Sequence, residues 1–521
     1  MQHERRGADR RGPLALRAQP SDEREDAFVR HQVEGPGHPS GKDDRGECGE
    51  IDGPQVGIGS HRDPVSARDG ARREPGDRDV ESRATQDVDD RHGLDLFESR
   101  GEGDEDAFSG THGVQCRLLR MSQPLLRILA TLGLALPGVR DVSDLLRPIR
   151  ERHDLPGLAA AVVAGKDLVA IGAVGVRKRG DETRVTAEDR FHLGSCTKSM
   201  TATMLATLVE EGKLGWNTTV GEVFPELAEQ MKPAWKSVTL EQLLTHRGGA
   251  PGGLDAGGLW GRLWKREGSP KEQRMTLVRG VLEREPEAPP GTKFIYSNGG
   301  FAIAGAMAEK VTGEAWEDLM RERLFGPLGM KSAGFGAPGT PGKLDEPLGH
   351  GEKGAPVDAG PDADNPPAIG PAGTVHGSLA DWAKYVSLHL EGERCAKGEG
   401  PCPEVGGALK LLKPETYAKL HAPGKAFDAE DTTKYAMGWS LAERDWARGP
   451  VLTHNGSNTM WFCVTWIAPE ADFAVLVATN QGGDKAAKGC DEAAWAIIQD
   501  QLRASKEPRG DVGKDKTDAK R

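Results

Sequence analysis

The chain lacks the residue spacings that commonly hold a metal: its 521 residues contain neither a Cys-x-x-Cys pair nor a His-Glu-x-x-His run. No cofactor is expected. It also lacks a basic stripe. With 68 Lys and Arg against 80 Asp and Glu the formal net charge is -12, which excludes a nucleic-acid partner held by bulk electrostatics. No apolar run approaches the roughly 20 residues that cross a bilayer, so no stable membrane span is expected. The composition, 37% hydrophobic and 28% charged, is that of a soluble protein.

Apolar periodicity is almost absent from residues 1–120, which are crowded with Arg, Asp, Glu, Gly, Pro and His. Such a segment cannot bury enough surface to offset its chain entropy. It reads as a disordered leader, or as sequence not naturally translated at all, because Met121 opens a different composition. In residues 121–140, Arg127 is the one basic residue ahead of a short apolar run ending in Leu134-Ala135-Leu136. That stretch resembles a secretory signal peptide; the alternative is a short buried or interfacial helix. The first reading places the protein in the periplasm or outside the cell, the second in the cytoplasm. Residues 505–521 are charged and read as a disordered tail.

Of seven cysteines, Cys48 and Cys116 fall in the leader, and Cys196, Cys463 and Cys490 sit in apolar surroundings where cysteine is often a small buried hydrophobe. Cys395 and Cys402 flank a Gly-rich loop and close it if the compartment is oxidising.

What is present organises around Phe191-His192-Leu193-Gly194-Ser195-Cys196-Thr197-Lys198. Met200, Met204, Leu205, Leu208 and Val209 follow at helical spacing and Gly212 stops the run, which predicts an amphipathic helix. Ser195 then lies at a helix N-terminus. Lys198, three residues on, shares its face, within reach of the Ser195 hydroxyl. Unpaired backbone N–H groups and the macrodipole favour negative charge at that end. A nucleophile, a base and an anion-stabilising donor would coincide, although an N-cap serine beside a solvated lysine has the same spelling.

Around this stretch, Val142 to His153 reads as a helix, Leu158 to Ala164 and Leu168 to Val176 as a strand hairpin, and Val238 to His246 as a short capped helix. A second cluster, Pro290-Gly291-Thr292-Lys293-Phe294-Ile295-Tyr296-Ser297-Asn298, puts an exposed phenol and amide on a loop before an apolar helix, Phe301 to Val311. Tyr296 alone of four tyrosines has Asn two places on. A third, Thr453-His454-Asn455-Gly456-Ser457, precedes two strand-like runs, Trp461 to Ile467 and Phe473 to Thr479, and a helix from Lys485 to Ala504.

The order Ser-x-x-Lys, Tyr-x-Asn, His-x-Gly resembles the serine hydrolases related to class C β-lactamases, D-alanyl-D-alanine carboxypeptidases and the esterases of the same fold. Leu243-Leu244-Thr245-His246, Leu324-Phe325-Gly326-Pro327-Leu328-Gly329-Met330 and Pro371-Ala372-Gly373-Thr374 support it. The resemblance covers about residues 142–504. It implies an α+β, β-lactamase/transpeptidase-like fold: an antiparallel sheet from both chain ends, flanked by helices, with a mostly helical region inserted and the cleft at the junction.

The resemblance also implies roles. Ser195 would form an acyl-enzyme, with Lys198 and Tyr296 sharing protons as a coupled pair. The lysine serves as base only where burial destabilises its ammonium. The backbone N–H groups of Ser195 and Ser457 would stabilise the oxyanion, Asn298 would orient the substrate, and Gly456 would be small so that the substrate can approach. Where many β-lactamases of this group have Lys-Thr-Gly, this chain has His454, mostly neutral above about pH 7. An ester or a D-amino-acid peptide is therefore favoured over a β-lactam, with an activity inflection expected near the histidine pKa.

Arg247 is read as a surface arginine or as the missing positive charge. Trp439 and Trp461 are read as core or as the acyl pocket, and the loop from Gly336 to Gly370 as a mobile rim. The rival function is a non-catalytic module of the same fold that binds D-amino-acid peptides or β-lactams. In either case the partner is a small molecule or a peptide.

Overall fold

A computed structural model describes residues 138–406, 409–425 and 431–505. The leader, nearly all of the 121–140 stretch and the tail beyond residue 505 lie outside the described residues. Among the described residues no helix is long and apolar enough to cross a membrane.

The alternation of the apolar runs becomes a sheet buried on both faces. In strand β2 (Gly157–Ala164) Ala159, Ala161 and Val163 enter one hydrophobic cluster, while Leu158, Ala160 and Val162 enter another on the opposite face. β2 continues into β3 (Asp167–Gly175) as the expected hairpin. The second half of the sheet comes from the far end of the sequence: β4 (Ser440–Arg444), β5 (Gly449–Ser457), β6 (Phe462–Ala468) and β7 (Phe473–Thr479). With a two-residue β1 (Arg140–Asp141) the order is β1-β3-β2-β7-β6-β5-β4. Helix α1 (Ser143–Arg152) and the last helix, α5 (Asp484–Ala504), contribute to the cluster on one face. The other face meets the inserted region, which includes α2 (Thr197–Glu210), α3 (Asn298–Thr312) and α4 (Leu379–Ala396).

Two details depart from expectation. The sheet is mixed, because β1 pairs parallel with β3 while every other neighbour is antiparallel. The inserted region also carries its own three-stranded sheet, in which Val375–Ser378 pairs with Arg190–His192 and with Gly334–Phe335. This small sheet anchors the chain just before Ser195.

Helix α2 is not amphipathic. All but its last two residues are buried, including Thr201, Thr203 and Thr207. Their hydroxyls are satisfied by the carbonyls of Pro371 (2.7 Å), Ser199 (2.9 Å) and Met204 (2.7 Å), which is how a helix with polar side chains all round can sit inside a core. Gly212, at φ +71°, follows the helix as the spacing predicts.

Candidate active site

Residues Gly194–Cys196 form a single 3-10 turn that runs directly into α2, so Ser195 sits at the mouth of a buried helix. The i, i+3 geometry brings Lys198 Nζ to 3.0 Å from Ser195 Oγ. The amine also lies 2.7 Å from Asn298 Oδ1 and 2.9 Å from the Ala372 carbonyl. Lys198 is fully buried. Its Nζ stands 4.6 Å from the centre of the Tyr296 ring and 5.7 Å from that of Phe301.

Tyr296 and Asn298 arrive together because Ser297 caps α3: its Oγ accepts the Gly300 amide at 3.1 Å and donates to the Pro251 carbonyl at 2.6 Å. The Tyr-Ser-Asn stretch is not exposed as its loop context suggested. Tyr296 is 8% and Ser297 1% accessible.

The third motif lies on β5, and its glycine has a different reason from the one expected. A Cβ on Gly456 would lie 2.0 Å from the Leu193 carbonyl oxygen and 3.0 Å from the Ser195 nitrogen. One on Gly194, which has φ +46°, would lie 2.3 Å from the Ser457 nitrogen. Smallness here lets the strand and the serine turn pack backbone to backbone. Gly438 does the same from the other side, since a Cβ there would meet Ser199 at 2.4 Å.

His454 is fully buried. Its Nε2 is 3.0 Å from the Tyr435 hydroxyl and its Nδ1 2.5 Å from the Asn455 carbonyl, so a neutral ring that donates from Nδ1 and accepts at Nε2 fits both contacts. It stands behind Tyr296, ring centres 6.5 Å apart. Both nitrogens are engaged within the protein, which leaves no ring nitrogen for a substrate carboxylate. Burial, reinforced by the Lys198 charge and opposed by the Asn455 carbonyl, pushes its pKa down to about 3. The activity inflection expected from a titrating His454 near pH 6.5 is therefore absent from its chemistry.

The same physics sets an acid limit on stability. Burial also pushes His376 down to about 4, and His246 and His389 well below the ordinary histidine value. The unfolded chain, with histidines near 6.5, takes up protons that the folded chain refuses. The stability contributed is full above about pH 6.5 and is lost as the pH falls toward 4 and 3, each group adding up to about 1.4 kcal/mol per pH unit. Melting temperatures are expected to drop progressively between pH 7 and pH 5, while pH–rate profiles over that range show no titration of His454. A flat melting curve with a rate inflection that disappears in His454→Gln would contradict both.

Other expectations resolve by burial. Arg247 is 3% accessible and ion-paired with Asp431, so it is neither a surface arginine nor an unmatched charge. Trp439 stacks on Tyr385 and Trp461 packs against His192; both are core. The Gly336–Gly370 segment is tied to the sheet side: His350 Nδ1 lies 2.7 Å from the Asn480 carbonyl, and Asn458 Nδ2 donates to Asp364 Oδ1 at 3.1 Å. Asp364 in turn lies 3.0 Å from His192 Nε2, while His192 Nδ1 accepts the Gly194 amide at 3.1 Å.

The sequence reading did not assign His192, Tyr435 or the Ala372 carbonyl. The Pro371-Ala372-Gly373-Thr374 phrase was the available signal for the last.

An α+β fold of the β-lactamase/transpeptidase type, with a serine and a buried lysine in contact at its core, defines a class of serine hydrolase. The profile of the Beta-lactamase family matches residues 142–499, and the chain belongs to that family.

Penicillin-binding protein 4 of Amycolatopsis lactamdurans is 29% identical over 338 residues, 64% of this chain and 83% of the relative. An unguisins hydrolase of Aspergillus campestris is 26% identical over 362 residues, 66% of this chain and 62% of the relative. Among solved structures, a class C β-lactamase from Rhodobacter sphaeroides superposes with a TM-score of 0.52 at 21% identity, covering 69% of this chain and 98% of that one. A D-alanine carboxypeptidase from Burkholderia cenocepacia does so with 0.52 at 20%, covering 68% and 96%.

Proposed function

We propose that the enzyme cleaves esters or amides through an acyl-enzyme on Ser195, and that it favours substrates that need no carboxylate anchor. The observation that carries the chemistry is the 3.0 Å contact between Ser195 Oγ and the Nζ of Lys198, whose side chain is fully buried. Ser195 Oγ bonds to the acyl carbon as its proton passes to Lys198. The alcohol or amine leaves after taking a proton from the Lys198–Tyr296 pair. Water, deprotonated by the same pair, then releases the acid. The backbone N–H groups of Ser195 and Ser457 stabilise the oxyanion, each commonly worth roughly a hundredfold to a thousandfold. Asn298, which already accepts from Lys198, orients the acyl-side oxygen or amide.

Charge supports the substrate preference. His454 is neutral, and Arg247 is matched by Asp431, so neither offers a permanent cation to a carboxylate. An exported location goes with this reading, supported by the signal-like 121–140 stretch and by the Cys395–Cys402 disulfide.

The test is side-by-side turnover of a short-chain aryl ester, a D-Ala-D-Ala peptide with its C-terminus free or amidated, and a chromogenic cephalosporin. The ester is expected to be hydrolysed, and the two peptide forms to differ by less than about threefold, under 1 kcal/mol. A preference of tenfold or more for the free carboxylate would overturn the preference proposed here.

A further inference from the structure

His246 ends the Leu243-Leu244-Thr245-His246 phrase with φ +58°, in the left-handed region that only a few per cent of non-glycine residues occupy, asparagine, aspartate and histidine more often than the rest. It is 2% accessible. From this position it grips the chain on both sides of Tyr296. The Ile295 amide donates to the His246 carbonyl at 2.8 Å, and the Ser297 amide donates to His246 Nδ1 at 3.1 Å. The imidazole lies against the Tyr296 ring, centres 4.4 Å apart, and is backed by Tyr435 at 4.8 Å and Phe301 at 5.2 Å.

Because Nδ1 accepts, the neutral ring carries its proton on Nε2, and that atom is buried with no hydrogen-bond partner among the described residues. A strained backbone and an unsatisfied buried nitrogen both work against folding. Their coincidence at one residue beside the reacting groups is the pattern of a position held for function.

We propose that His246 is a positioning residue for Tyr296: by accepting the Ser297 amide and bracing the ring, it holds the phenol ring beside the Lys198 amine. The inference rests on the acyl-enzyme reading, in which Tyr296 moves protons. His246 itself moves none. Burial keeps its imidazole uncharged, as an Nδ1 acceptor must be. A protonated ring would lose the Ser297 contact and repel Lys198.

Two substitutions separate this role from packing. Glycine and asparagine both tolerate the positive φ, but only asparagine can offer an acceptor, Oδ1, close to where Nδ1 stands. His246→Gly is expected to lose about a hundredfold or more in kcat with KM within about threefold, because the phenol is misplaced and binding contacts remain. His246→Asn is expected to recover at least about tenfold of that loss. The rate at which a fluorophosphonate labels Ser195 should follow kcat in both variants.

Equal kcat in the two variants, or a loss confined to KM, overturns the proposal. If melting shows that the glycine variant does not fold, a folded His246→Asn more than about a hundredfold below wild type overturns it alone. Ser195→Ala run beside them tells the two failures apart. Activity surviving that change refutes the acyl-enzyme reading itself, whereas its loss together with an unaffected His246→Gly refutes only the role of His246.

Discussion

Lys198→Met is expected to leave a folded enzyme that turns over its substrates about a thousandfold to ten-thousandfold more slowly, within the range that a positioned general base supplies. Methionine fills nearly the same volume, so the pocket is not opened to a cavity. What disappears is the nitrogen that stands 3.0 Å from Ser195 Oγ. The Asn298 Oδ1 and Ala372 carbonyl contacts disappear with it, at a cost of about 1–3 kcal/mol each if they stay unpaired. Removing a buried ionisable group from a site that has to desolvate it offsets part of that.

Lys198→Arg sharpens the test. A guanidinium keeps the charge but does not deprotonate in proteins. If the lysine acts as a base, arginine is as inactive as methionine. If it acts only as a fixed positive charge, arginine retains much of the rate. The measurement is kcat and kcat/KM for the three proteins, with melting temperatures alongside.

Gly456→Ala is the second large effect. A methyl group there has to occupy space 2.0 Å from the Leu193 carbonyl oxygen, between two backbones with no flexible side chain to yield. Either β5 or the serine turn must move by an ångström or more. A displacement of that size at reacting groups is worth about a hundredfold in rate, and overpacking a tight contact costs about 1–3 kcal/mol of stability. The variant should melt a few degrees lower and lose at least about a hundredfold in kcat/KM. Ala494, on α5, is buried in the cluster on the opposite face of the sheet from the serine turn. Ala494→Gly serves as a comparison in which stability falls without a matching loss of rate. Wild-type kcat/KM in a folded Gly456→Ala would show that the packing of β5 on the serine turn does not set the catalytic geometry.

Much of this architecture was legible in the sequence because its signals are local. The β2–β3 hairpin, the capped Leu240–Leu244 helix and the closing strands β6 and β7 fall within a residue or two of their predicted limits, since periodicity and turn residues act over short spans. Ser195 and Lys198 were readable for the same reason: three residues along a helix fix their distance.

The departures are all matters of distance across the fold. Whether His454 faces a cleft or a core depends on Tyr435, nineteen residues away in sequence, whose hydroxyl meets its ring. Whether the Arg247 charge is matched depends on Asp431. The reason for Gly456 depends on a carbonyl at residue 193. Burial converted a titratable histidine and a free arginine into a neutral ring and a matched pair, and no local pattern announces burial of that kind.

The central claim is that Ser195 is a nucleophile made reactive by the amine of Lys198. Time-resolved intact mass of the protein treated with a fluorophosphonate, followed by peptide mapping of the adduct, measures this directly. The account predicts one adduct per chain on Ser195, none in Ser195→Ala, and labelling in Lys198→Met slowed by at least about a hundredfold. An adduct on another residue, or equal labelling rates with and without the Lys198 amine, would contradict it.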